Sequence, residues 1–200
     1  MNPQFPLYIV SKGRHESRLT SKTLEGMGVP YFIVVEPKEV EAYSSVIDPA
    51  KVLALDLSYK ERYDCFDEHG MTKSTGPGPA RNFVWDHAIA NGHPWHWVMD
   101  DNIQYFFRLN RNMKIPVADG TCFRVMEDFC LRYKNVAMAG PNYFMFASRK
   151  SAMPPFVVNT RIYSCNLINH AAPRRRPPRS SRPALDALWI SGRSPRVIRF

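Results

Sequence analysis

Two hundred residues with 44% hydrophobic side chains are enough for one domain with a real core, and no apolar run approaches the ~20 residues of a membrane span. The formal charge of +9 points to a nucleic-acid partner until it is divided along the chain: residues 171–200 hold eight arginines and one acid, leaving only +2 for residues 1–170. The cysteines, Cys65, Cys122, Cys130 and Cys165, form no CxxC pair, which argues against a zinc knuckle or a disulfide framework and reads as reduced core thiols. Met1 to Pro6 lacks the basic and long apolar segments of a signal peptide, so the expected residence is cytoplasmic, with no membrane contact.

The first hundred residues alternate strand and helix. Leu7-Tyr8-Ile9-Val10 is a short strand, and after Ser11-Lys12-Gly13-Arg14 comes a helix over about 17–25, with Leu19, Thr23, Leu24 and Met27 on one side and Gly26 and Gly28 as stop signals. Tyr31-Phe32-Ile33-Val34-Val35 is the cleanest strand, and the segment after Pro37 spaces Val40, Tyr43, Val46 and Ile47 as a helix facing a core. Val52 to Leu55 makes a third strand. This βαβαβ order predicts a doubly wound parallel sheet with ligands at the carboxyl ends of its strands, where Ser11 to Arg14 and Glu36 fall.

A Gly- and Pro-rich polar loop over 58–79 separates these strands from a helix whose core stripe is Ala80, Phe83, Val84, His87 and Ala88. Arg81 and Asn82 then lie in the first turn, off the stripe, and form either an anion site or a solvated helix start. Trp97-Val98-Met99-Asp100-Asp101-Asn102 is a buried strand ending in two carboxylates and an amide, hard ligands suited to Mg²⁺ or Mn²⁺; an acidic turn capping the strand is the equal alternative. His93 and His96 need not converge, so no zinc site is expected. No nucleophile elbow or Walker loop is present.

Tyr105 to Phe107 reads as a short antiparallel strand, and Thr121 as the cap of a helix carrying Met126, Phe129, Cys130 and Tyr133. Asn135 to Gly140 restarts the sheet. Tyr143, Phe144 and Phe146 read first as core; followed by Arg149 and Lys150, they are alternatively a stacking and phosphate surface for a base turned out of DNA.

Taken in order, Tyr8 to Arg14, Val34 to Pro37, Gly78 to Asn82, Trp97 to Ile103, Phe107 to Arg111 and Asn159 to Cys165 resemble the TET-associated glycosyltransferases, GT-A-type enzymes of phages and prokaryotes, over about residues 7–169. The Ala80-Arg81-Asn82 helix start also resembles that of family-2 glycosyltransferases. The resemblance implies a GT-A-like (Rossmann-like), mostly parallel α/β sheet and metal-dependent hexosyl transfer from a nucleotide-diphospho sugar to hydroxymethylated pyrimidines in DNA. It implies the host cytoplasm as the setting if the chain is phage-encoded. Ser11, Lys12, Gly13 and Arg14 would surround the donor's base and ribose with Glu36 nearby, and Arg81 and Asn82 would face the nucleotide or its diphosphate. Asp100 and Asp101 would meet the ribose and the Mn²⁺ or Mg²⁺, while Asn159, Arg161 and Tyr163 would approach the sugar or the acceptor. Asn102 stands where a strict DxD would place a second acid.

The pattern departs from the family after Asn169, where an acidic segment supplying the general base is expected. Arg, Pro, Ala and Ser dominate residues 171–200, while Lys, Glu, Asn and Gln are absent there. Such bias suits a disordered basic tail or, the favoured expectation, translation in a shifted frame. The expected organisation is a GT-A-like domain over 1–169, lacking its C-terminal part and its base and so of open activity, followed by a basic tail over 170–200. The alternative function is a noncatalytic basic module that uses Arg174 to Arg199 on nucleic acid.

Overall fold

The computed structural model describes residues 1–61, 76–147, 154–172 and 196–200. In chain order its elements are β1 (Leu7–Val10), α1 (Leu19–Gly26), β2 (Phe32–Val35), α2 (Val40–Ser44), β3 (Val52–Ala54), α3 (Ser58–Glu61), α4 (Gly78–Ala90), β4 (Trp95–Asp100), β5 (Phe107–Asn110), β6 (Met113–Pro116), α5 (Thr121–Cys130), β7 (Val136–Gly140), β8 (Val157–Val158), β9 (Cys165–Asn169) and β10 (Arg196–Arg199). An eight-stranded sheet runs β3-β2-β1-β4-β9-β7-β10-β8, and β5 pairs with β6 as a separate hairpin. The N-terminal half, β3-β2-β1-β4, is parallel throughout, whereas β9 runs antiparallel to both β4 and β7. This is the GT-A-like, mostly parallel α/β architecture that the family resemblance implies, with no membrane-spanning helix among the described residues.

Both faces of the sheet are covered, and the two-residue period of each strand divides its side chains between them. Leu7, Ile9, Ile33, Val35, Trp97 and Met99 pack with Leu24, Tyr43 and Phe123 from α1, α2 and α5. Their neighbours Tyr8, Val10, Val34 and Val98 pack with Val84, Trp85 and Ala88 of α4. The stripe expected on α4 is therefore turned: Trp85 is buried on it, stacked on His170 at 5.7 Å, while Phe83 and His87 are only half-buried.

Three local expectations are corrected. Thr121 does not cap α5: it is the helix's first residue, and the Asp119 carboxylate accepts its N–H at 2.8 Å. The short strand at Tyr105 to Phe107 starts at Phe107 and belongs to the β5-β6 hairpin, outside the main sheet. At the C-terminal end, Arg196–Arg199 is not part of a tail: β10 lies between β7 and β8 with Val197 and Ile198 buried, because this apolar pair completes the cover over the edge of β7. Residues 173–195, which hold most of the expected tail, lie outside the described residues, as do Cys65, Arg149 and Lys150, whereas His170 stacks on Trp85 and Ala172 is buried.

Gly140 is forced by packing: a Cβ there would lie 2.2 Å from the Cys165 carbonyl oxygen. The remaining described cysteines, Cys122, Cys130 and Cys165, are free thiols, and burial pushes Cys130 up to about 12.

One buried acid ties the chain's first residues to the central strand. Glu127 on α5 is fully buried and accepts the N–H groups of Gln4 and Phe5, at 2.6 and 3.2 Å, and the Trp97 indole N–H at 2.8 Å. Burial raises its pKa, and those three donors oppose the rise. Glu127→Ala should orphan all three donors and cost about 2–4 kcal/mol of stability, measured by urea unfolding, whereas Glu127→Gln, which keeps an acceptor, should lose markedly less. Equal stability of Glu127→Ala and the parent would mean that these contacts are not formed.

Candidate functional site

The chain steps outward from β1 to β2 and β3, then returns to lay β4 on the other side of β1. At such a switch point the loops leaving the two strands diverge and open a crevice beyond their carboxyl ends. The register sets Val10 beside Asp100, so the segments 11–14 and 100–102 face each other across it. A cleft of about 400 Å³ lies there, lined by Ser11, Lys12 and Arg14, by Asp100 to Asn102, by Glu36 and Lys60, and by Pro79, Ala80 and Arg81 at the start of α4.

Asp101 gathers the groups of this cleft. Its Oδ1 accepts Arg14 Nη1 at 2.7 Å and its Oδ2 accepts Ser11 Oγ, also at 2.7 Å. Since the serine hydrogen is spent on the carboxylate, the Tyr43 hydroxyl, 2.6 Å away, donates to Ser11 and in turn accepts the Arg14 N–H at 3.0 Å. Burial raises the Tyr43 pKa and keeps that proton in place. Gly13 completes the loop with φ +67, a conformation that disfavours a side chain, and donates its N–H to Glu39 Oε1 at 2.7 Å.

Asp100 is held differently. Its Oδ1 accepts Arg81 Nη2 at 2.5 Å, while Oδ2 accepts no hydrogen bond from the described residues. Arg81 Nε is buried and likewise has no partner among them. The backbone of the turn is fixed by Thr20 of α1, whose hydroxyl donates to the Asp100 carbonyl at 2.7 Å and accepts the Ile103 N–H at 2.8 Å. Arg81 thus leaves the α4 stripe as the sequence predicts, toward the strand-end carboxylate, and Asn82 does not line the cleft.

Glu36 sits among lysines. Lys12 Nζ approaches Oε1 at 2.7 Å, Lys60 Nζ is bound to the same oxygen, and Lys38 Nζ is 3.5 Å from Oε2. Hydrogen bonds from Lys12 and Lys60 hold its carboxyl at about 2, below the ordinary 4.5. A depressed pKa contributes stability that is complete above the unfolded value and is lost as the pH falls from there toward 2. Urea unfolding across that window should show a steeper acid-side decline for the parent than for Glu36→Gln; superimposable curves would contradict the lysine cage.

The remaining expected residues divide. Tyr163 stacks on Tyr143 with ring centroids 4.6 Å apart, next to Ser164, whose carbonyl accepts the Asp100 N–H at 2.8 Å. Arg161 is exposed two positions earlier. Asn159 has φ 57 and donates its N–H to the Val197 carbonyl at 2.8 Å, at the β8-β10 edge of the sheet. Four strand spacings, about 19 Å, separate that edge from β4. Tyr143, Phe144 and Phe146 are not core: they are 38%, 52% and 49% exposed. Sequence reasoning missed Thr20, Tyr43 and Lys60 as site residues, since Thr20 and Tyr43 look like helix and core positions and Lys60 lies in a polar loop.

No curated protein and no solved structure matches the chain. The family model described as TET-Associated Glycosyltransferase matches residues 5–180. That span takes in both strand ends, the start of α4 and the aromatic turn beyond β7. The chain therefore belongs to the TET-associated glycosyltransferase family, a family of sugar-transferring enzymes.

Proposed function

We propose that the cleft binds a nucleotide-diphospho sugar with Mn²⁺ or Mg²⁺, and that the sugar passes to a hydroxymethylated pyrimidine in DNA, with phage DNA as the natural acceptor. The observation that carries this reading is the meeting of Asp100 and Asp101, Arg14 and Arg81, and the N-terminus of α4 around one crevice at the switch point. Cationic forks meet a diphosphate with charge-assisted hydrogen bonds, and Arg14 and Arg81 supply them.

The donor set suits a cation that arrives with the diphosphate. Among the described residues no group of three or more His, Cys, Asp or Glu is placed to hold a metal alone. Asp100 Oδ2 and the Asn102 side chain nevertheless offer hard oxygens on the cleft, and Mg²⁺ commonly takes one or two carboxylates and completes its shell with phosphate and water. Bound there, the cation supplies positive charge to the departing diphosphate.

The chain's own groups position the donor. Arg81 and the half-exposed Arg14, each paired with a strand-end carboxylate, turn to the phosphate oxygens. Glu36, kept ionised by Lys12 and Lys60, offers an acceptor to ribose or base. The carboxylates lining the cleft, Glu36, Asp100 and Asp101, are each committed to a cation, so among the described residues none stands free as general base for an inverting transfer.

Calorimetric titration of the chain with UDP, GDP and their sugars, with Mn²⁺ and with EDTA, tests the reading. At least one nucleotide should bind, and the Mn²⁺ advantage should disappear in Asp100→Ala, which removes the open carboxylate oxygen, and weaken in Asp101→Ala while the fold persists. Equal affinity in Mn²⁺ and EDTA would remove the metal assignment. No nucleotide binding, with only salt-sensitive DNA binding, would instead favour the noncatalytic basic module.

Arg81→Ala should weaken nucleotide binding about tenfold or more, since charge-assisted hydrogen bonds are typically worth ~1.5–3 kcal/mol. Its pair with Asp100 lies near the surface, so thermal unfolding should show a loss of no more than about 1 kcal/mol. A large loss of stability with unchanged affinity would make Arg81 purely structural.

A further inference from the structure

We propose that a run of exposed rings leading away from Asp100 is a stacking platform for single-stranded DNA, holding the strand that carries the acceptor base; this rests on DNA being the acceptor. The run begins at the cleft. Ser164, whose carbonyl accepts the Asp100 N–H, has its hydroxyl 2.5 Å from the Tyr143 hydroxyl. Tyr143 stacks on Tyr163, and Phe146 meets both rings at 5.9 and 5.8 Å. Phe144, next along the chain, packs against Phe107 of the β5-β6 hairpin at 4.9 Å, and Tyr105 follows at 6.1 Å.

These rings form two adjoining groups, Tyr143, Tyr163 and Phe146 beside Phe144, Phe107 and Tyr105, that stay in water: Tyr105 is 68% exposed and Phe144 52%. Soluble domains rarely leave such a patch uncovered without a partner for it. The charge beside it selects the partner. Residues 102–118 contain Arg108, Arg111 and Lys114 and no acid, and Lys114 Nζ sits 3.7 Å from the centre of the Phe144 ring. A hollow of about 320 Å³ opens between Phe107, Met113, Lys114 and Phe144. Aromatic faces fringed by cations are what successive unpaired bases and their phosphates require, and every base offers a face to stack. A duplex keeps its faces buried in its own stack, so the surface discriminates in favour of an opened strand.

The test uses the full chain, a fluorescent oligothymidylate and the matching duplex, with anisotropy read at about 0.1 and about 0.5 M salt. Phe107→Ala and Phe144→Ala should each weaken oligothymidylate binding about fivefold or more, and their combination further. The loss should persist at the higher salt, where phosphate contacts made by the Arg-rich segment fade. Phe144→Leu, which keeps an apolar side chain and removes the ring, should lose as much as Phe144→Ala. Duplex binding and Mn²⁺-dependent UDP binding should be unchanged. Parent-like oligothymidylate affinity in the double variant overturns the platform, as does a sedimenting dimer that the same substitutions dissociate. Nucleotide binding separates the two readings: if the parent binds none of UDP, GDP and their sugars while ring loss weakens the oligonucleotide, the donor reading falls and the platform stands. If UDP binds and ring loss changes nothing, the platform alone falls.

Discussion

The parallel ladder between β1 and β4 is the constraint on which the cleft depends. It sets Val10 against Asp100, and the contacts of Asp101 with Ser11 and Arg14 follow from two loops leaving adjacent strand ends in that register. A shift of one residue would turn Asp100 and Asp101 to opposite faces of the sheet and take the Asp101 oxygens away from Ser11 and Arg14. The apolar alternation that separates Leu7 and Ile9 from Tyr8 and Val10 resists such a shift, because it would drive each set into the wrong core. The hydrophobic pattern of the strands therefore positions carboxylates that themselves contribute little to folding.

The charges of the site are balanced locally. Arg14 answers Asp101, Arg81 answers Asp100, and Lys12 and Lys60 answer Glu36, so the near-neutral body conceals strong local fields. Each pair is partly exposed, so a phosphate can compete for the cation without first exposing a buried charge. The relay from the Arg14 amide through Tyr43 and Ser11 to Asp101 preorganises this loop at the cost of few side-chain rotamers.

Strands β1, β2 and β4 are legible in the sequence, as are α1 and α4, because apolar period and Gly or Pro punctuation are local signals. Asp100, Asp101 and Arg81 are legible for the same reason: a strand end and a first helical turn have chemistry visible in a few residues. Tyr43 and Thr20 are not, since their roles come from hydroxyls reaching other elements while their spacing reads as ordinary helix. The rings at 143–146 mislead in the opposite direction, as aromatic density favours a core reading and only the β5-β6 hairpin's position leaves them in water. Val197 and Ile198 disappear into an Arg-rich average, although they pack on β7.

The placement of β10 has a consequence for the order in which the protein assembles on the ribosome. β8 at 157–158 pairs with β10 at 196–199, and β10 also flanks β7. During synthesis the β3-β2-β1-β4 half, its helices and the cleft residues can settle once α5 emerges, whereas the β7 edge stays open until residues some forty positions beyond β8 have been made, a wait of a few seconds at about 5–20 residues per second. An uncovered edge strand of the sequence Val136-Ala137-Met138-Ala139-Gly140 is the kind of template on which other strands pair. Aggregation of nascent chains should therefore depend more on β10 than its four residues would suggest, even though β9 and β7 separate it from the cleft strands β1 and β4.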